Sequence, residues 1–146
     1  MKHMNVKRAL LAAAGAALLV VSQAGHAEGQ GLYEGLGGKE GIQRIVSAFL
    51  QKVLADERIN AGFRDVDTAR LARLLGEQFC AVSGGPCRYA GKDMKTIHED
   101  LRITDAQFNA LAEDLQAAMD AQDVPPAVQN KLIARLAPMH RDIVTK

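Results

Sequence analysis

The sequence predicts an all-α fold of about six helices joined by short loops. Three observations point there. Apolar residues recur at helical spacing in every long segment after residue 40. Capping residues stand where those stripes begin, and glycine or proline stands where they end. No alternating run of apolar and polar residues is long enough to make a strand.

In chain order, Leu32 to Leu36 predicts a brief helix, ended by Gly37-Gly38, since glycine accepts the left-handed backbone of a helix exit. Ile42, Ile45, Val46, Phe49, Leu50, Val53 and Leu54 form the next stripe, which stops near Ala55-Asp56. A turn-like passage with Asn60, Gly62 and Asp65 follows, and Phe63 within it needs an apolar surface to pack on. Asp67 or Thr68 caps a helix carrying Leu71, Leu74, Leu75, Gln78, Phe79 and Val82. Gln78 is the polar member of that stripe: either a partly exposed amide at its edge or a donor aimed into a pocket. Ser83-Gly84-Gly85-Pro86 breaks the helix.

Asp93 then caps a short helix with Met94, Ile97, His98 and Leu101, so that Met94, His98 and Leu101 share one face. Thr104 to Gln107 reads as a capping box opening a helix with Phe108, Leu111, Leu115 and Met119. Pro125-Pro126 suits the start of a last helix burying Val128, Leu132, Leu136, Met139 and Ile143. Pro138 inside it should kink it or leave a carbonyl unpaired.

The first 27 residues read as a secretory signal. Lys2, Lys7 and Arg8 give a positive start, Ala9 to Val21 is uncharged and apolar, and Gly25 and Ala27 are the small residues before a cut. The apolar run is short for a bilayer, which takes roughly 20 residues, so an uncleaved anchor helix is the weaker alternative. One domain follows from about Glu28. The whole chain carries +1, and the part after the signal, which loses three cations and no acid, carries −2. Such a near-neutral chain gives no footprint for nucleic acid. With the signal cleaved, no membrane association is expected, and the destination is export, to the periplasm.

Enzyme signatures are missing: no phosphate-binding glycine loop, no nucleophile elbow, no paired histidines of the zinc-protease kind. A zinc site of Cys80, Cys87, His98 and His140 is conceivable by residue type, but its spacing fits no compact finger. No Cys-x-x-Cys-His occurs, so haem attachment of the c type is not indicated. An imidazole at His98, on an otherwise apolar face, is either a hydrogen-bonded core residue or a ligand to something buried beside it.

Taken together, LYEGLGG at the start, VLADERI, GGPCRY-G and M-K-x-x-H follow one another in an order and spacing that resembles the truncated haemoglobins, most closely group 1. The resemblance runs from Leu32 to about Val144, so residues 28–146 are expected to be one truncated globin domain. It implies a two-over-two helical sandwich around a non-covalent haem b. His98 then matches the proximal histidine that ligates the iron, Phe63 the phenylalanine against the haem face, and Tyr89 and Met94 the wall beside the proximal helix. His140 matches no haem role. Phe49 matches a family phenylalanine, but the tyrosine that usually follows it is Leu50 here. Leu71 and Leu75 stand where a distal glutamine or other polar group is usual, and Gln78 stands where phenylalanine is usual. If Gln78 reaches a bound ligand it replaces the missing donor; if not, bound oxygen lacks a partner and leaves faster.

Cys80 and Cys87 bracket the Gly-Gly-Pro turn, and in an exported protein a disulfide between them is expected. Two free thiols or a reversible redox pair are the alternatives. The function implied is reversible binding of a diatomic gas, O2, NO or CO, for storage, carriage or sensing. Two other classes stay open. One is a redox haem enzyme, a nitric oxide dioxygenase or peroxidase-like, which would need an electron-donor reductase. The other is a haem-binding or haem-delivery protein.

Overall fold

The computed structural model describes residues 31–146. The expected signal, residues 1–27, lies outside the described residues.

Helix α1 (Leu32–Gly35) is a single turn. Gly37 and Gly38 follow at φ of +84° and +63°, the left-handed backbone that a side chain would strain. They turn the chain into α2 (Gly38–Ala55), whose expected stripe is buried from Ile42 through Val53. Leu54 departs from that stripe: it is exposed at the helix end. A 3-10 turn, Asn60–Phe63, carries Phe63 half-buried against the core.

Helix α3 (Thr68–Val82) is capped by Asp67, whose carboxylate accepts from Arg70 N at 3.0 Å. Gln78, Phe79 and Cys80 are buried. The edge position considered for Gln78 is therefore not the one it takes. Past the helix end, a disulfide joins Cys80 to Cys87. Gly85 lies so close to the Tyr33 ring and the Cys80 sulfur that a Cβ there would overlap both. Tyr33 N donates to Ser83 O at 3.1 Å, tying α1 to the same hairpin.

Helix α4 (Met94–His98) starts where expected, with Asp93 accepting from Thr96 N at 2.9 Å, but it is shorter than the sequence suggests. Leu101 lies beyond it and is 58% exposed, so it does not share the Met94–His98 face. The chain must leave the helix here, because Arg102 takes a positive φ and Ile103 makes an isolated parallel bridge to Val144. Thr104 and Gln107 form the expected capping box of α5 (Asp105–Ala121).

Helix α6 (Pro126–Leu136) begins with its proline at the first position, where no N–H is missed. Pro138 does more than kink the last helix. That helix ends at Leu136, a 3-10 turn spans Ala137–Met139, and α7 (His140–Ile143) leaves from it. The break turns Met139 into the interior and brings α7 against α4.

The long helices form a two-over-two sandwich: α2 packs on α3 and α5, and α6 packs on α3 and α5. Ile42, Ile45, Val53, Met119 and Leu132 are the most deeply buried side chains at the centre. Among the described residues no helix is long and apolar enough to cross a membrane.

Candidate functional site

A cavity of about 240 Å³ opens between α3 and α4. Every expected site residue lines it. Phe49 and Leu50 come from α2, Phe63 from the 3-10 turn, and Leu71, Leu75 and Gln78 from α3. Tyr89 comes from the loop after the cystine, and Met94 and His98 from α4. Sequence reasoning alone misses the rest of the wall. Phe108, Leu111 and Leu115 of α5, with Met139 and Ile143, close the cavity from below. In the sequence all five look like members of core stripes. A stripe marks the buried face of a helix but does not say whether a side chain or a void lies opposite.

The walls are apolar, and among the described residues only Gln78, Tyr89 and His98 bring polar side chains to them. The hydrogen bonds of these three decide what the cavity can do. The Tyr89 hydroxyl donates to Lys92 O at 2.9 Å, so it is turned onto the loop backbone. Burial pushes its phenol pKa up, and the carboxylates of Glu77 and Asp93 push it further, so it remains a neutral donor. The Gln78 amide nitrogen lies 3.4 Å from the Met94 sulfur and 3.7 Å from the Met139 sulfur. It is a donor aimed inward, one of the two positions the sequence allows, but its partners are thioethers of the wall.

His98 differs from both. Its Nδ1 stands 2.7 Å from Met94 O, one helical turn back. A carbonyl only accepts, so Nδ1 carries the proton and donates, and Nε2 is left as the bare lone-pair nitrogen. Among the described residues Nε2 has no hydrogen-bond partner. This arrangement fixes both the tautomer and the ring orientation, as a backbone acceptor does for a metal-binding imidazole.

The zinc site considered from residue types does not assemble. Both cysteines are consumed by the disulfide. His140 Nε2 pairs with Asp105 Oδ1 at 2.7 Å and the ring packs edge-on to Phe108, outside the residues that line the cavity. Among the described residues no cluster of three or more His, Cys, Asp or Glu could hold a metal.

The model of the bacterial-like globin family matches residues 31–145, nearly the whole described chain. The chain belongs to the bacterial-like globins. Within them it falls among the group 1 truncated haemoglobins. It is 34% identical to the group 1 truncated haemoglobin GlbN of Mycolicibacterium paratuberculosis, over 82% of this chain and 88% of that one. The truncated haemoglobin of Tetrahymena pyriformis, solved in its Fe(III) form, superposes with a TM-score of 0.77 at 31% identity. That match covers 80% of this chain and 100% of the other. The 2/2 haemoglobin of Synechococcus sp. PCC 7002, solved in the cyanomet state with covalently attached haem, gives 0.75 at 29% identity, over 80% of this chain and 100% of that one. In this globin, Leu50, Leu71 and Leu75 bring apolar side chains to the cavity wall.

Proposed function

We propose that this globin holds a haem in the cavity between α3 and α4, with His98 Nε2 as the axial ligand of the iron. It binds a diatomic gas, O2, NO or CO, on the side walled by Phe49, Leu50, Leu71 and Leu75. The observation that carries the reading is the state of His98. Its Nδ1–H is committed to Met94 O, while Nε2 is bare and unpartnered among the described residues at the wall of an apolar cavity. The residues fit the group: a flat, largely apolar macrocycle needs apolar walls, and its iron needs one neutral imidazole nitrogen.

A bound haem would supply an iron able to take a diatomic ligand. The chain supplies the rest. His98 would hold the iron through Nε2 and is itself held in register by Met94 O. Phe63 and the leucines of α3 give the cavity apolar walls that offer water no hydrogen-bond partner. With the Gln78 amide hydrogens directed at sulfur and the Tyr89 hydroxyl at Lys92 O, no side-chain donor among the described residues of the wall is free to stabilise bound oxygen. Such a donor contributes about 0.5–1.5 kcal/mol. CO and NO, which depend less on it, are relatively favoured. That supports a ligand-binding role over nitric oxide dioxygenation or peroxidase-like turnover, which need a polarised bound oxygen and an external electron-donor reductase.

Attachment by haem b without a covalent bond is part of this proposal. The two cysteines are closed on each other, so neither offers a thiol to a vinyl group. Export to the periplasm is also proposed, supported by the composition of residues 1–27 and by a disulfide suited to an oxidising compartment.

The test is the absorption spectrum of the full chain, ferric, then dithionite-reduced, then under CO, followed by extraction of the haem into acidified organic solvent. The expected result is a five-coordinate high-spin ferrous form that shifts sharply with CO, and a haem that extracts completely. His98→Ala should lose that ferrous spectrum, and added imidazole should restore it. Absence of a haem band after adding hemin would overturn the reading. A low-spin ferrous form before CO would overturn the apolar gas side.

A further inference from the structure

We infer that Gln78 is a positioning residue for His98, acting across the cavity through Met94, and not a hydrogen-bond donor to the bound gas. The inference rests on the haem reading above and adds a role that the reading does not need. Gln78 belongs to α3, the wall opposite α4. It is 9% exposed. Its amide nitrogen has two hydrogens, and two sulfurs stand near it, Met94 at 3.4 Å and Met139 at 3.7 Å. Each sulfur is a weak acceptor, but a buried amide with no acceptor at all is costly, so the arrangement holds the amide and the methionines together.

Met94 is the first residue of α4, and its own carbonyl receives the His98 Nδ1–H at 2.7 Å. One residue therefore links the α3 amide to the proximal imidazole. The link matters because α4 has little else to hold it. Five residues are too few to be helical by themselves, and none of them is buried. Ile97 is 40% exposed. The Asp93 cap fixes the backbone at Thr96, and α7 supplies the packing. The Met94 side chain, clamped by Gln78, is what fixes the carbonyl to which His98 donates. The strength of that Nδ1–H bond sets the basicity of Nε2 toward a metal.

A glutamine donating to bound gas and a glutamine positioning His98 make opposite predictions for a substitution cycle. Gln78→Leu keeps the bulk and removes the amide. Met94→Leu conserves volume and removes the sulfur. The two single variants, the double variant and the wild type, each as the full chain, are compared by the iron–histidine stretching band of the reduced form. Solvent exchange of the His98 Nδ1–H is measured by NMR in the diamagnetic CO form. The inference expects both single variants to shift the band in the same direction. It also expects each to speed Nδ1–H exchange about five-fold, with the double variant no worse than either.

Three outcomes overturn it: an unmoved band and unmoved exchange in Gln78→Leu, strictly additive effects in the double variant, or a faster O2 off-rate in Gln78→Leu with the band unchanged. The last would make Gln78 a donor to the gas. If the wild type carries haem without an iron–histidine band, the His98 ligation reading fails instead. If the full chain carries no haem, Nδ1–H exchange is read on it as purified, and unchanged exchange in Gln78→Leu again overturns the inference.

Discussion

The two walls of the cavity are built on different terms. Helix α3 has 15 residues, buries Gln78, Phe79 and Cys80, packs on α2 and α6, and ends in a cystine. Helix α4 has five residues, buries none, and leans chiefly on the still shorter α7. Yet α4 carries His98, whose Nε2 is unengaged among the described residues. The chain separates the elements that hold the fold together from the element that presents His98. A short segment with few buried contacts opens at low cost, so the turn that carries His98 has to be held by single bonds: a cap, a carbonyl, a thioether contact.

The separation can be broken most forcefully at the core. Leu132 is fully buried at the centre of the sandwich, and Leu132→Ala should cost about 2–5 kcal/mol of unfolding free energy. Ile97→Ala on α4 should stay within about 1 kcal/mol, because Ile97 is already 40% exposed. Urea titration of both variants compares them directly. Equal losses would mean that α4 is part of the core and the contrast between the walls is wrong.

The cystine comes next in size. Cys80 and Cys87 close a loop with a sequence separation of 7, and opening so short a loop should cost about 2–3 kcal/mol on the chain-entropy account. The double variant Cys80→Ser, Cys87→Ser should lose that much. It should also show faster amide exchange at Tyr33 and Gly85, whose N–H groups donate to Ser83 O and Cys80 O beside the bridge. Non-reducing alkylation of the wild type should label no thiol; two labels would show that the pin on α3 is absent.

The frame of the fold was legible because its signals are local. Asp67, Asp93 and the Thr104–Gln107 box each cap the helix they announce, and the stripe from Ile42 to Val53 is buried as its spacing requires. What failed to read through depends on contacts distant in the chain. Leu101 has helical spacing from Met94, but the pairing of Ile103 with Val144 pulls the chain out of the helix first. Pro138 announced a disturbance, not its size, since whether a proline bends or ends a helix depends on what the freed turn packs against. That Phe49, Leu50, Phe63, Leu71, Leu75, Gln78, Tyr89, Met94 and His98 line one cavity was legible through the motifs that carry the resemblance. The partners of Gln78 were not, because Met94 and Met139 lie 16 and 61 residues away in the chain and a thioether acceptor has no sequence signature.

The smallest effect separates the caps of two helices. Asp93 caps α4 with a carboxylate, held below the ordinary aspartate range by the Thr96 N–H first and the Thr96 hydroxyl next. A carboxyl lowered in the folded state contributes stability that is present above its unfolded value and lost as pH falls through the folded one. Helix α5 is capped by Thr104 and Gln107, which do not titrate. Acid should therefore loosen α4 before α5. Below about pH 4, where aspartate ordinarily protonates, amide exchange at Thr96 and Ile97 should accelerate relative to intrinsic rates while Gln107 and Phe108 hold. Glu77 is also held low, first by the Ala90 N–H, so Glu77→Gln serves as the control for acid loosening of the loop that precedes α4. Asp93→Asn keeps a capping oxygen without the titration and should flatten the α4 profile. If Asp93→Asn loosens in acid as the wild type does, the cap is not what holds the His98 helix, and its stability comes from α7.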